Sequence, residues 1–175
     1  FRRGSYAIDL TYEVRNHGDA EWRCASYMQF LRHSEPAKRS IWDVETYAFR
    51  GPAIYDGTRY SKLDIEDQDD ARLSIQVTDG WVASMQHHFV AAAVPAAGQP
   101  YQFTLEANAE RDYLLRAVGP THAVAPGGQQ RFEEKIFVGP KLQSQLKATG
   151  PELQRTADYG KLTIIAQPLF TLMQW

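Results

Sequence analysis

A chain of 175 residues, 43% hydrophobic and 23% charged, has the length and apolar content for one domain with a substantial core, which excludes an intrinsically disordered segment. Its net charge of -2 and scattered Lys and Arg residues leave no cationic footprint for nucleic acid. The one cysteine, Cys24, cannot close an internal disulfide and reads as a small core hydrophobe rather than a nucleophile.

In chain order, Phe1-Arg2-Arg3-Gly4 runs directly into a strand with no initiator Met, signal peptide or membrane span, which suggests an excised piece of a longer protein. Tyr6, Ile8, Leu10, Tyr12 and Val14 alternate with Ala7, Asp9, Thr11 and Glu13, the period of a half-buried strand. Asn16-His17-Gly18-Asp19 supplies turn chemistry, so residues 22–31 are expected to return as the second strand of a hairpin. Further strands are predicted at 45–49, 59–65, 72–77, 81–86, 88–94, 101–107, 113–118 and 131–138. Gly- and Pro-rich punctuation at Asp79-Gly80, Gly119-Pro120 and Pro126-Gly127-Gly128 falls between them. About ten short strands at this spacing predict a mainly β, antiparallel sandwich rather than an α/β fold.

After the last strand the grammar changes. Gly139 is expected to end the strand and Pro140 to occupy the first turn of a helix of roughly ten residues, with Leu142 and Leu146 on one face and Gly150-Pro151 as its stop. Asp158-Tyr159-Gly160 then turns the chain into an amphipathic helix, bent at Pro168. Leu162, Ile165, Ala166, Leu169, Leu172 and Met173 fall on one side of it, and Thr163, Gln167, Thr171 and Gln174 on the other. The stretch lacks the roughly 20 apolar residues that cross a bilayer. It therefore docks on its own domain or lies in the membrane interface, and Leu162, Ile165, Leu169, Leu172 and the interfacial residue type Trp175 are its candidate contacts. The organisation expected is a strand body at 1–138, a helical connector at 139–160 and the amphipathic helix at 161–175.

Candidate chemistry is sparse. His87 and His88 are adjacent in a predicted strand, where their side chains would point to opposite faces and not share a metal. His17, His33 and His122 belong to no metal-ligand spacing or nucleophile motif. The run Asp64, Glu66, Asp67, Asp69 and Asp70 lacks the glycine and distal Glu of a calcium loop and reads as a solvated hairpin tip. No phosphate loop or dinucleotide fingerprint is present, so no cofactor is expected. The aromatic set Trp22, Trp42, Trp81, Tyr47, Phe49, Tyr55, Tyr60 and Phe89 is generous for one small sandwich core. Phe49, Arg50, Tyr55 and Trp81 are the candidates for a groove or partner surface.

Five segments, in order, carry a family resemblance: RRGSYAIDLTYEVRN from Arg2, TYAFRGPAIYDG from Thr46, DGWVASMQHHFVAAAVP from Asp79, FVGPKLQSQL from Phe137 and ADYGKLTIIAQPLFTLMQW from Ala157. Together they resemble the large periplasmic domain of the YidC membrane protein insertases of Gram-negative bacteria. The resemblance implies a β-supersandwich of the kind found in sugar mutarotases, with C-terminal helices leading toward the membrane spans. It also implies that the insertase groove, the first membrane anchor and the early strands of the domain lie outside this chain. Sheet edges that those strands would cover are then expected to stand unpaired. Lys161 and Ala157 depart from the family's apolar and β-branched residues at those positions, and Lys161 can still snorkel to headgroups.

The resemblance implies a non-catalytic domain on the periplasmic side of the bacterial inner membrane, part of a multi-pass protein. Its implied partners are Sec translocon subunits, membrane protein substrates and, through the terminal helix, the membrane interface. Two alternatives from other classes are a mutarotase-like carbohydrate enzyme or binding domain, which needs a carboxylate base and a histidine acid on one sugar ring, and a groove for extended polypeptide.

Overall fold

A computed structural model describes residues 3–34 and 49–157. Twelve strands and one α-helix occur among them. The antiparallel two-sheet architecture with helix after the last strand is what the sequence leads one to expect. Six strands form one sheet in the order β1 (Ala7–Arg15), β12 (Gln129–Pro140), β8 (Phe89–Val94), β7 (Trp81–Met85), β4 (Gly51–Tyr55) and β5 (Tyr60–Lys62). Four form the other, in the order β3 (Tyr27–His33), β10 (Asp112–Val118), β9 (Pro100–Ala107) and β6 (Ser74–Thr78). The short β2 (Trp22–Cys24) and β11 (His122–Val124) pair with each other.

The inner core lies between the sheets, where Ile54, Val82 and Ala93 of the larger sheet meet Phe103, Leu105, Leu115 and Ala117 of the smaller one. A second core covers the other face of the six-stranded sheet. There Ala53, Trp81, Ala83, Ala92 and Phe137 pack under Leu146 of helix α1 (Gln143–Thr149) and Leu153 of the 3-10 turn Leu153–Ala157. Strands β4 and β7 are consequently buried at every position, and Phe89–Val94 at all but its ends, so these strands read as apolar runs without alternation. The small side chains Ala83, Ala91, Ala92 and Ala93 let both layers approach the sheet closely.

Several local expectations are corrected. The first turn does not make a hairpin: β1 pairs with β12 along its whole length, from Ala7↔Phe137 to Arg15↔Gln129. Asn16 explains the divergence, because its side-chain amide donates 2.8 Å hydrogen bonds to the carbonyls of Ala20 and Val124 and its backbone N–H donates to Gly128. The turn is thereby tied to the loop before β12, and β2 and β3 go to different partners. Strand β12 runs through Gly139 and Pro140, with Pro140 opposite Phe89, so the helix starts at Gln143 and is shorter than expected. Leu142 and Leu146 do not share a buried face, since Leu142 is exposed and Leu146 fully buried. The predicted strand at 45–49 falls on residues 45–48 outside the described ones, and Phe49 is not in a strand. The acidic run joins β5 of one sheet to β6 of the other, so it is a crossover and not a hairpin tip. Its aspartates cap their own backbone, Asp64 accepting from Glu66 N–H and Asp67 from Asp69 and Asp70. Among the described residues no helix is long and apolar enough to cross a membrane.

Candidate functional site

The opening between the sheets beside β3 is the principal concave feature. Strand β12 places Phe132, Glu134, Ile136 and Val138 on its inner face at period two, while Phe137 points the other way, under the helical layer. Glu134 is therefore a carboxylate in an apolar register. Together with Leu10 and Tyr12 of β1, Ala93 of β8, and Met28 and Phe30 of β3, Glu134 and Ile136 line a recess of about 490 Å³. Two residues farther along the same strands, Ala91 and Val138 line a second recess of about 570 Å³, reaching Arg32 and Phe89. A third, of about 540 Å³, continues past Arg32 to His33, Arg50, His87 and His88. The three form one trough along β3.

Its two ends differ in charge. At one, Glu134 is only 6% exposed and accepts 3.4 Å hydrogen bonds from the hydroxyls of Tyr12 and Tyr101, while Ser26 Oγ and Tyr101 Oη lie 3.3 Å apart. Burial, and then the negative charge of Glu134, push the Tyr12 hydroxyl above its ordinary value. For Tyr101 burial again leads, with Glu134 adding to it and a hydrogen bond with Ser26 opposing. Both phenols thus remain donors to the carboxylate. At the other end stand Arg32 and Arg50 with three histidines. His33 Nδ1 lies 2.9 Å from Asp112 Oδ1, an exposed pair that holds the Asp112 carboxyl below its ordinary range. His87 and His88 are not in a strand. They sit in the β7–β8 turn with their rings 4.0 Å apart, edge to face, so the opposite-face reasoning does not hold there. No group of three or more metal-ligating side chains occurs among the described residues.

The inner wall also holds a buried hydroxyl pair, Ser84 Oγ and Tyr113 Oη at 2.7 Å. Burial pushes the Tyr113 hydroxyl above its ordinary value of 10.0, against the Ser84 hydrogen bond and the Arg32 charge, which pull it down. A raised folded pKa means that the unfolded chain gives up the proton first. The associated stability is complete below the unfolded value and falls as pH rises through the folded one. Urea unfolding should therefore show stability dropping above about pH 10, and Tyr113→Phe should flatten part of that slope. Equal slopes for the two proteins would contradict this placement of the proton.

The sequence-derived site residues separate. Trp81 is fully buried, stacked on Tyr55 with centroids 6.1 Å apart and near Tyr60 at 5.8 Å, and its indole N–H donates to the Pro151 carbonyl at 2.7 Å. Tyr55 is buried beside it and donates to the Gly57 carbonyl. Of the aromatic set, Trp81 and Tyr55 lie in the second core with Tyr60 and Phe49 packed against it, whereas Trp22 and Phe89 are exposed. Phe49 is half-buried at the edge of that core with Lys62 Nζ 5.6 Å from its ring centroid, and Arg50 is exposed at the mouth of the trough. The stripe Leu162, Ile165, Leu169, Leu172 and Trp175 lies outside the described residues, as do Trp42 and Tyr47. Glu134 and Arg32 were not singled out by motif. The available signal was Glu134's parity with Phe132 and Ile136.

Against known proteins, the family model described as YidC periplasmic domain matches residues 1–172. A relative named "Membrane protein insertase YidC" from Alkalilimnicola ehrlichii is 39% identical over 173 residues, covering 98% of this chain and 30% of that protein. Relatives of the same name from Methylobacillus flagellatus and Thioalkalivibrio sulfidiphilus are 36% and 37% identical, each covering 99% or more of this chain and 31% of the relative. The chain thus spans 30–31% of the length of these relatives.

Proposed function

This chain belongs to the YidC periplasmic domain family, and we propose that it serves a membrane protein insertase as a non-catalytic accessory domain on the periplasmic side of the inner membrane. In this reading it supports insertion and folding of inner-membrane proteins and makes contact with the Sec translocon. The two-sheet body presents the contact surface, the chain after β12 turns back over the second core, and the terminal stripe from Leu162 to Trp175 meets the membrane interface or the domain itself. The observation that carries the reading is the family match across residues 1–172, shared with relatives named for insertion. Its shape is compatible with a carrier: an adapter acts through contact surface, and the trough mouth and Arg50 offer such surface without a covalent step.

The contact is testable in the full-length protein. Phe49→Ala and Arg50→Glu should reduce co-purification of Sec translocon subunits from solubilised membranes at matched expression. Unchanged co-purification from both variants would sink the proposed contact through this surface.

A further inference from the structure

The sandwich has an open end as well as an open side. Strands β3 and β7 finish at that end, at His33 and Met85, while β4 and β8 begin there, at Gly51 and Phe89, and the recess of about 540 Å³ lies among these strand ends. Its inner wall carries the buried hydroxyl pair of Ser84 and Tyr113. The charged side chains lining it are Arg32 and Arg50, joined by three histidines, and among the described residues no Asp or Glu lines it. Neither guanidinium has a carboxylate within ion-pair distance among those residues, and Asp112, which starts β10, is engaged by His33 at 2.9 Å. Exposed arginines without such a partner occur elsewhere, as at Arg23; what distinguishes Arg32 and Arg50 is that they share one concavity. A hollow walled by one sign of charge concentrates its field on the space an anion would fill.

We propose that this recess docks an acidic segment of a partner protein, whose carboxylates pair with Arg32 and Arg50 while an apolar neighbour packs on Phe89. The inference rests on the partner contact proposed for this mouth and supplies its chemistry. Each guanidinium presents paired N–H donors in a plane that matches the two oxygens of a carboxylate. The hydroxyls of Ser84 and Tyr113 are already bonded to each other at 2.7 Å, so selection by charge falls to the two arginines. Phe89 is 54% exposed at the rim although the next residue, Val90, is buried, so an apolar side chain beside the carboxylates gains contact there. The volume favours a chain segment over a lone inorganic anion, because about 540 Å³ falls in the range of pockets that hold ligands of many heavy atoms.

The test uses purified full-length protein in neutral detergent and a fluorescein-labelled peptide of glutamates around one leucine, with binding read by anisotropy. The same peptide with glutamines in place of the glutamates should not bind. Arg32→Gln and Arg50→Gln should each weaken binding of the glutamate peptide about fivefold, the upper end for an exposed charge contact. Both arginines are exposed, so neither substitution empties a packed site. Arg23→Gln removes the same charge from β2 and should leave the affinity unchanged. In native membranes, a photoreactive phenylalanine analogue at Phe89 should capture a carboxylate-rich segment of another polypeptide, and reversing the charges of that segment should restore capture by the Arg50→Glu variant. Equal affinity for the two peptides, or unchanged affinity in both arginine variants, would overturn the proposal even where Arg50→Glu lowers Sec co-purification, so this site and the Sec contact fail separately. Displacement of the peptide by inorganic phosphate beyond that by chloride at matched ionic strength would overturn it in favour of a small-anion site. Capture of a segment of the same polypeptide would overturn it too, since the arginines would then be answered from within.

Discussion

Replacing Trp81 with alanine is expected to cost about 3–5 kcal/mol of unfolding free energy, the range for deleting a large aromatic from a packed core. The indole fills the layer between the six-stranded sheet and the helical cap, contacts Tyr55 and Tyr60, and holds the Gly150-Pro151 turn through the Pro151 carbonyl. Gly150 approaches closely too, since a Cβ there would sit 3.2 Å from Val94 and 3.7 Å from the indole, so the cap cannot settle into the space left behind without moving as a unit. Trp81→Phe keeps much of the volume and loses the hydrogen bond, for an expected cost of about 1–2 kcal/mol. Trp22→Ala, at a residue 48% exposed, is the comparison and should change stability by no more than about 0.5 kcal/mol. Urea unfolding followed by the strand signal in far-UV circular dichroism measures all three. A Trp81→Ala cost no larger than that of Trp22→Ala would mean that the cap is not fastened through this ring.

The same layer explains what could be read from the sequence and what could not. Strands β9 and β10 have one face in the core and the other half-covered, so their alternation is visible in Tyr101, Phe103 and Leu105 and in Tyr113, Leu115 and Ala117. Strand β4 hides because Gly51-Pro52 looks like turn punctuation. In the sheet Pro52 sits opposite Ser84 with its carbonyl accepting from Leu63 N–H, and the missing donor is tolerated. Gly139-Pro140 misleads in the same way, since these residues remain paired with Val90 and Phe89, and a Cβ at position 139 would lie 2.5 Å from the Tyr6 ring. Pairing partners were the least legible feature: β1 meets β12 across more than a hundred residues, and only the side-chain bonds of Asn16 reveal why the nearer partner is refused. The site was legible as a possibility and misplaced in detail. Aromatic abundance suggested a groove, yet Tyr55 and Trp81 serve burial, while the trough is defined by strand count and by one carboxylate out of register.

The largest functional effect is expected at the other end of the chain, where Leu162, Ile165, Leu169 and Leu172 recur at three- and four-residue spacing. Hiding each of these side chains, against the domain or among headgroups, is worth about 1.5–3 kcal/mol, so four of them outweigh the bend expected at Pro168. Apolar exchange cannot probe this, because Ile165→Leu preserves volume and leaves the stripe continuous. Charge can. Leu169→Asp and Leu172→Asp should impair membrane protein insertion by the full-length protein, whereas Thr171→Asp and Gln174→Asp add the same charge to the polar side and should be tolerated. The comparison is made by complementation at matched expression, so that a stability defect shows as lost protein and a docking defect as lost insertion. Because all four variants carry one extra carboxylate within six residues of each other, net charge and position along the chain cancel. Any difference between the pairs reports the face alone, and equal tolerance of all four would mean that the stripe is a solvated linker.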